Sequence, residues 1–194
     1  QELEESAVNQ LTAVRGIKKN QINQYIESFN KEVEAIAQTN TNVKFTEELR
    51  DYVYSIDIDE RDKYPTDTTE YQQLYDKYYD YYDKIIKKYG YYDIFIIGKN
   101  FGQMAFTYAR ESDFGANLKH GQYRDTNLAK VWSEVINTDE SYLADFAPYE
   151  PSGGKPAGFY GTPIKDIDGN TLAVFAVQIP IDEISNIMQD RTGM

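Results

Sequence analysis

The sequence predicts an α+β fold: a long N-terminal helix and further helices, then a five-stranded antiparallel sheet with helices on one side. Three observations predict it. Apolar residues recur at three- and four-residue steps over the first 38 residues. From Tyr91 the apolar period moves from 3.6 toward two. Tight-turn sequences then join successive strands, which makes neighbours antiparallel.

The opening helix is written in Leu3, Ala7, Leu11 and Val14, continued by Ile22, Tyr25, Ile26, Phe29, Val33 and Ile36. At 1.5 Å per residue it would run roughly 55 Å, with Gly16 as its weak point. Residues 39–42 are polar and break the stripe. A second helix is expected over 44–54, with Phe45, Leu49, Tyr52 and Val53 on one side. A charged loop with Pro65 leads to a third helix over 69–89, whose stripe reads Leu74, Tyr78, Tyr81, Tyr82, Ile85 and Tyr89. Residues 92–97 read as a buried strand, 98–102 as a turn, and 103–110 as the returning strand. On that strand Phe106, Tyr108 and Arg110 would share one face. After a loop over 111–122, Asp125 or Thr126 can cap a helix over 127–136. Strands follow over 142–149, 156–165 and 171–179, the last two joined by the hairpin signal Asp168-Gly169. A closing helix begins after Pro180 and carries Ile181, Ile184, Ile187 and Met188. The expected divisions are a helical lead-in over 1–90, a sheet domain over 91–180, and a helix and linker over 181–194.

Composition narrows the function. Hydrophobic residues make 41% of the 194 and charged residues 27%, enough for one sizeable core. The net charge of −12 repels phosphate backbones and anionic headgroups, so nucleic acid and membrane surfaces are poor partners. No cysteine is present, which removes thiolate metal sites and thiol catalysis. A single histidine, His120, argues against multi-histidine metal sites and a serine–histidine–acid relay. No apolar run reaches the 18 residues a bilayer span needs. Both ends read as continuing into a longer protein.

Several motifs invite a chemical reading and have a plainer one. Asp166 and Asp168 suggest a calcium loop, but the sixth position is Thr171 and no late Glu follows, so they read as turn residues. Ser152-Gly153-Gly154-Lys155 lacks the spacing of a phosphate loop and reads as a strand connection. His120 reads as an exposed loop residue. The tyrosines from Tyr71 to Tyr92 fall mostly at helical spacing and read as packing, with Tyr92 set apart because it enters a strand. Polar residues on the strands or in the loop covering them are the candidates that remain: Tyr92, Tyr108, Arg110, Asp113, Tyr123, Arg124, Asp145, Tyr149 and Gln178. Two readings stay open. Arg110 or Arg124 pairs with Asp113 or Asp145 to staple the loop, since a lone buried charge is costly. Alternatively a pocket lies between the sheet and residues 111–125, where a guanidinium holds a carboxylate and an Asp holds an amine.

Six stretches in order resemble a known family. They are Gln10–Arg15, Tyr89–Ile96, Ser112–Leu118, Tyr123–Ala129, Asp145–Pro151 and Val177–Ile184. Together they resemble the single Cache (PAS-like) sensor modules of bacterial transmembrane receptors, above all methyl-accepting chemotaxis proteins; residues 40–70 match poorly. The resemblance implies a periplasmic or extracellular sensing domain of an inner-membrane receptor, not an enzyme, with no cofactor. It implies a small polar metabolite as ligand, carboxylate or amino-acid-like, and a homodimer through the N-terminal helix. The first helix would continue from one membrane segment, and residues 190–194 would lead to a second segment or a further module. A histidine-kinase or nucleotide-cyclase sensor, or a ligand-free dimerisation module, is the alternative.

Overall fold

The computed structural model describes residues 2–190. Its helices are α1 (Glu2–Ala37), α2 (Asn40–Tyr54), α3 (Thr69–Tyr89), α4 (Asn127–Thr138) and α5 (Ile181–Gln189). Its strands are β1 (Ile94–Gly98), β2 (Met104–Thr107), β3 (Tyr142–Tyr149), β4 (Lys155–Lys165) and β5 (Thr171–Gln178). They form one five-stranded sheet in the order β2-β1-β5-β4-β3, every neighbouring pair antiparallel. The α+β class, the long first helix and the antiparallel sheet are as the sequence predicts. Residues 191–194 of the expected linker lie outside the described residues.

Local chemistry sets the ends of the elements. Thr39, Thr68 and Thr126 cap α2, α3 and α4, their side chains accepting from the backbone N–H of Asn42, Tyr71 and Ala129. Gly90, at φ 69°, ends α3 in the left-handed conformation that glycine adopts without strain. The β4–β5 hairpin is turn chemistry: Gly169 N–H donates to the Asp166 carbonyl and Asp166 N–H to that of Asn170.

Two compact units make up the chain. One comprises the residues up to Glu32 with those from Pro180; the other is Val33–Ile179. These units divide at residues 32–33 and 179–180, and α2 and α3 pack into the sheet's own core. Phe106 of β2 meets Phe45 of α2 at 5.4 Å between ring centroids, edge to face, and Tyr82 of α3 at 4.5 Å. In the first unit α5 lies against α1: Lys18, 6% exposed, donates its ammonium to the Asp190 carbonyl at 2.5 Å. The Tyr25 hydroxyl of α1 is pushed up to about 12, by burial first and then by Glu183 of α5 and Glu32.

Helices cover both faces of the sheet instead of the one side expected. Side chains alternate along a strand. Ile96, Phe106 and Phe175 share a face with Phe45 and Tyr82, under α2 and α3. Phe95, Ile97, Phe159, Val174 and Ala176 face the other way and pack with Leu128, Val131 and Val135 of α4. Burial on both faces explains why β5 is apolar almost throughout. Gly161 of β4 sets how near α4 comes, since a Cβ there would lie 2.3 Å from Val131 Cγ1.

The stripe of α3 is rotated from the one expected. Tyr71, Tyr75, Tyr78, Tyr82 and Ile85 are buried, while Leu74 is only half-buried. The reason lies in the sheet edge. β2 is an outer strand, and its free carbonyls need donors. Tyr71 supplies Ala105 at 2.7 Å and Tyr75 supplies Thr107 at 3.2 Å. A leucine could do neither.

Candidate functional site

Under α4, the face of the sheet ends in carboxylates at its β1 start. Asp93 precedes β1 and is fully buried. Its Oδ1 accepts three backbone N–H groups, from Ile94, Tyr108 and Ala109, at 2.7, 2.8 and 2.9 Å. These bonds stop the returning strand at Thr107, three residues before the expected Arg110, and turn the chain outward. Arg110 follows at φ 52°, its N–H held by Thr107 Oγ1 at 2.8 Å. Oδ2 of Asp93 meets no donor among the described residues.

Asp113, in the segment that covers the sheet, is equally buried. Its Oδ2 accepts the Tyr149 hydroxyl at 2.5 Å, and its Oδ1 meets no donor among the described residues. Tyr149, at the end of β3, is buried edge to face on Phe159 at 4.9 Å. Gln178, at the end of β5, gives its backbone N–H to the Asp93 carbonyl at 3.1 Å, and its buried Oε1 is without a partner. Asn127, at the start of α4, donates to the carbonyls of Ala157 at 2.7 Å and Asp145 at 3.0 Å, and leaves its Oδ1 unpaired. Tyr123 is buried in the cover and donates to Ser112 Oγ at 2.8 Å.

Burial makes these acids hard to ionise. It pushes Asp113 up to about 6, with the Tyr149 hydrogen bond pulling the other way and the nearby Glu111 charge adding to the rise. Asp93 is pushed well above the usual carboxylate range by burial, which its three backbone bonds do not offset, and Asp113 raises it further. Tyr149 is raised by burial and by the Asp113 charge.

Of the candidates read from sequence, Asp113, Tyr123, Tyr149 and Gln178 are thus interior. The others are elsewhere. The Arg110 guanidinium lies 3.6 Å over the Tyr75 ring and reaches Gln72. Tyr108 stacks on Tyr79 at 5.6 Å and donates to Asp83 at 2.8 Å, the Tyr79 and Asp83 hydrogen bonds raising it. Arg124 is exposed beside Asp125 at 3.7 Å. Asp145 is exposed and accepts the Phe146 N–H at 2.7 Å. Among the described residues no arginine pairs with Asp113 or Asp145, so neither Arg110 nor Arg124 forms the stapling ion pair considered from sequence. Tyr92 is at the rim, 49% exposed, and donates to Glu111 at 2.5 Å. Ser152 donates to the other Glu111 oxygen at 3.1 Å. Sequence reasoning missed Asp93 and Asn127. An acid opening a strand otherwise read as buried was the available signal for the first; the second had none.

All the unpaired atoms here are oxygens: Asp93 kept protonated can donate one hydrogen, while Asp113 above about pH 6, Gln178 and Asn127 present acceptors. Such a set does not complement a carboxylate or phosphate. It complements a donor with positive charge, and an ammonium offers three N–H groups. Among the described residues no group of three or more His, Cys, Asp or Glu side chains could hold a metal ion, and no helix is long and apolar enough to cross a membrane.

No family model and no curated protein matches the sequence significantly. Among solved structures, the chain is similar to the sensor domain of the V. cholerae histidine kinase DctB, with a TM-score of 0.66 at 15% identity over 97% of this chain. The sensory domain of the Campylobacter jejuni chemoreceptor Tlp3 aligns over 92% of this chain, with a TM-score of 0.40 at 15% identity. The chain spans 61% of the length of the former and 66% of the latter. The fold is that of the DctB sensor domain, α+β with a long first helix and a five-stranded antiparallel sheet, as the family resemblance implied.

Proposed function

We propose that this chain is the extracytoplasmic sensing domain of a bacterial membrane receptor. Its ligand would be a small metabolite with a protonated amine, and an amino acid is the class that fits best. The observation that carries this reading is the pair of buried carboxyl groups, Asp93 and Asp113, each with an oxygen that no donor among the described residues reaches. Isolated buried charge is among the costliest features a core can carry. A ligand ammonium between these oxygens, with Gln178 and Asn127 as further acceptors, would offset that cost.

Glu111 accepts from Tyr92 and Ser152, and in this reading it closes the rim of the site. In this reading the ligand enters when these exposed bonds part and the residue 111–125 cover lifts. Gln178 is the last residue of β5, and α5 begins three residues later at Ile181. A ligand that prefers one setting of β5 would shift α5, which lies against α1. The receptor would be a homodimer through α1, on which Leu3 and Leu11 stand 86% and 69% exposed. A chemoreceptor, histidine-kinase or cyclase output suits this module equally.

The test is a thermal-shift screen of the domain at pH 7.5 against amino acids, primary amines and dicarboxylates, followed by calorimetry. An amine-bearing compound should raise Tm; at about 100 times its Kd the gain is ~2.7 kcal/mol. Asp113→Asn should abolish that gain. A screen answered only by dicarboxylates, or a confirmed amine bound equally well by Asp113→Asn, would sink the proposal.

A further inference from the structure

The sheet carries an opening on the face away from the carboxylate cluster, at its other end. A cavity of about 300 Å³ lies between α2 and the sheet. Ile96, Ala105 and Ala173 form its floor, and Leu49 and Val53 of α2 form a wall. Its mouth is where the β1–β2 turn, with Lys99, meets the β4–β5 hairpin, with Asp166. The β1–β5 register separates the two sites: Gly98 pairs with Ala173 beside this cavity, Ile94 with Val177 beside Asp93. The volume is at the small end of the range for ligand pockets, and an apolar floor with a few polar groups in the lining is their usual pattern.

The rim has unused cationic donors. Arg50 commits Nε and Nη2 to Asp51, at 3.0 and 2.8 Å, and its Nη1 meets no acceptor among the described residues. Lys99 has no ion-pair partner among the described residues. The acid at the mouth, Asp166, is already engaged: its Oδ1 accepts from the backbone of Asp168 and Asn170, and the Asn170 amide reaches both of its oxygens. Asp51 and Asp166 balance the two cations in charge, and with both acids already engaged, the unused N–H donors of Arg50 and Lys99 are what this rim offers a carboxylate.

We propose that this cavity binds a small monocarboxylate with an apolar, ring-sized body. The carboxylate lies on Arg50 Nη1 and Lys99, and the body rests on Ile96, Ala173 and Leu49. This site is independent of the carboxylate cluster and takes a ligand of the opposite charge. Both sites touch β5, at opposite ends.

The probe is 3-phenylpropionate, titrated into the full 194-residue chain with amide shifts followed by NMR. Phenethylamine and 3-phenylpropanol have a similar body without the negative charge. The acid should give saturable shifts at Leu49, Ile96 and Ala173 with a Kd at or below about 1 mM. The amine should bind about tenfold more weakly. Arg50→Gln should weaken the acid about fivefold and leave the alcohol unchanged. Val53→Trp, which fills the mouth, should block both, and Asp113→Asn should change nothing. Lys99→Gln, on a surface turn, makes the same charge test should Arg50→Gln fail to fold, with a loss of about twofold or more. No saturation by the acid at several millimolar, shifts that map to another surface, or equal affinity for acid and amine would overturn the proposal.

Discussion

The two faces of the sheet treat buried polar groups in opposite ways. Under α2 and α3 the interior hydroxyls and amides find partners. Tyr82 donates to Asn42 Oδ1 at 2.6 Å, Asn42 in turn donates to the Ala37 carbonyl at 2.8 Å, and Tyr64 donates to that of Leu49 at 2.7 Å. Under α4 the acceptors of Asp93, Asp113, Asn127 and Gln178 are left over. A core selected for stability alone satisfies its polar groups. One face does this, and its tyrosines also close the β2 edge. The other keeps unpaired carboxylates, a local conflict with stability that marks a functional site.

The largest effect should come from the satisfied face. Phe106→Ala removes the ring on which Phe45, Tyr75 and Tyr82 converge, and should cost about 3–5 kcal/mol in a denaturation experiment. A loss below 1 kcal/mol would mean that face is not the stability core.

Asp113→Asn should act in the opposite direction. Asp113 is at about 6 in the folded protein against an ordinary 3.8, so the native state binds this proton more tightly than the unfolded state does. Stability from this group is therefore full below about pH 4 and falls as pH rises to about 6. At about 1.4 kcal/mol per pH unit, the wild type should forfeit about 3 kcal/mol across that window. Asp113→Asn should match it near pH 4 and exceed it by up to about that amount at pH 7.5. A variant less stable than wild type at neutral pH would erase the contrast between the faces.

Tyr82→Phe strands the Asn42 acceptor and should cost about 1–2 kcal/mol with no change in ligand response. Arg110→Ala sharpens the comparison from outside it. The guanidinium lies over Tyr75 at an exposed position, so its loss should cost less than about 1 kcal/mol and leave affinity for an amine intact. A large affinity loss would return Arg110 to the binding site.

Periodicity made the elements legible, because helix and strand patterns record burial directly: 69–89 and 142–149 are helix and strand as expected. The site was legible only in part. Asp113, Tyr149 and Gln178 stood out as polar residues among apolar ones. Arg110 was assigned to a strand face by extending the alternation past Thr107, and that alternation ends where Asp93 takes the N–H groups of Tyr108 and Ala109 from 15 and 16 residues away. Such a contact leaves no local trace. The stripe of α3 was misplaced for a related reason: hydropathy favoured Leu74, whereas the β2 edge needed the hydroxyls of Tyr71 and Tyr75.

The most direct test of the ammonium site follows the carboxyl carbon of Asp113 by NMR through a pH titration, free and with the amine that gives the largest thermal shift. The free domain should titrate Asp113 near pH 6, and a bound ammonium should pull it down by two units or more, about 3 kcal/mol of interaction. An Asp113 that titrates in the ordinary carboxylate range when free, or does not move when the amine binds, would contradict the account.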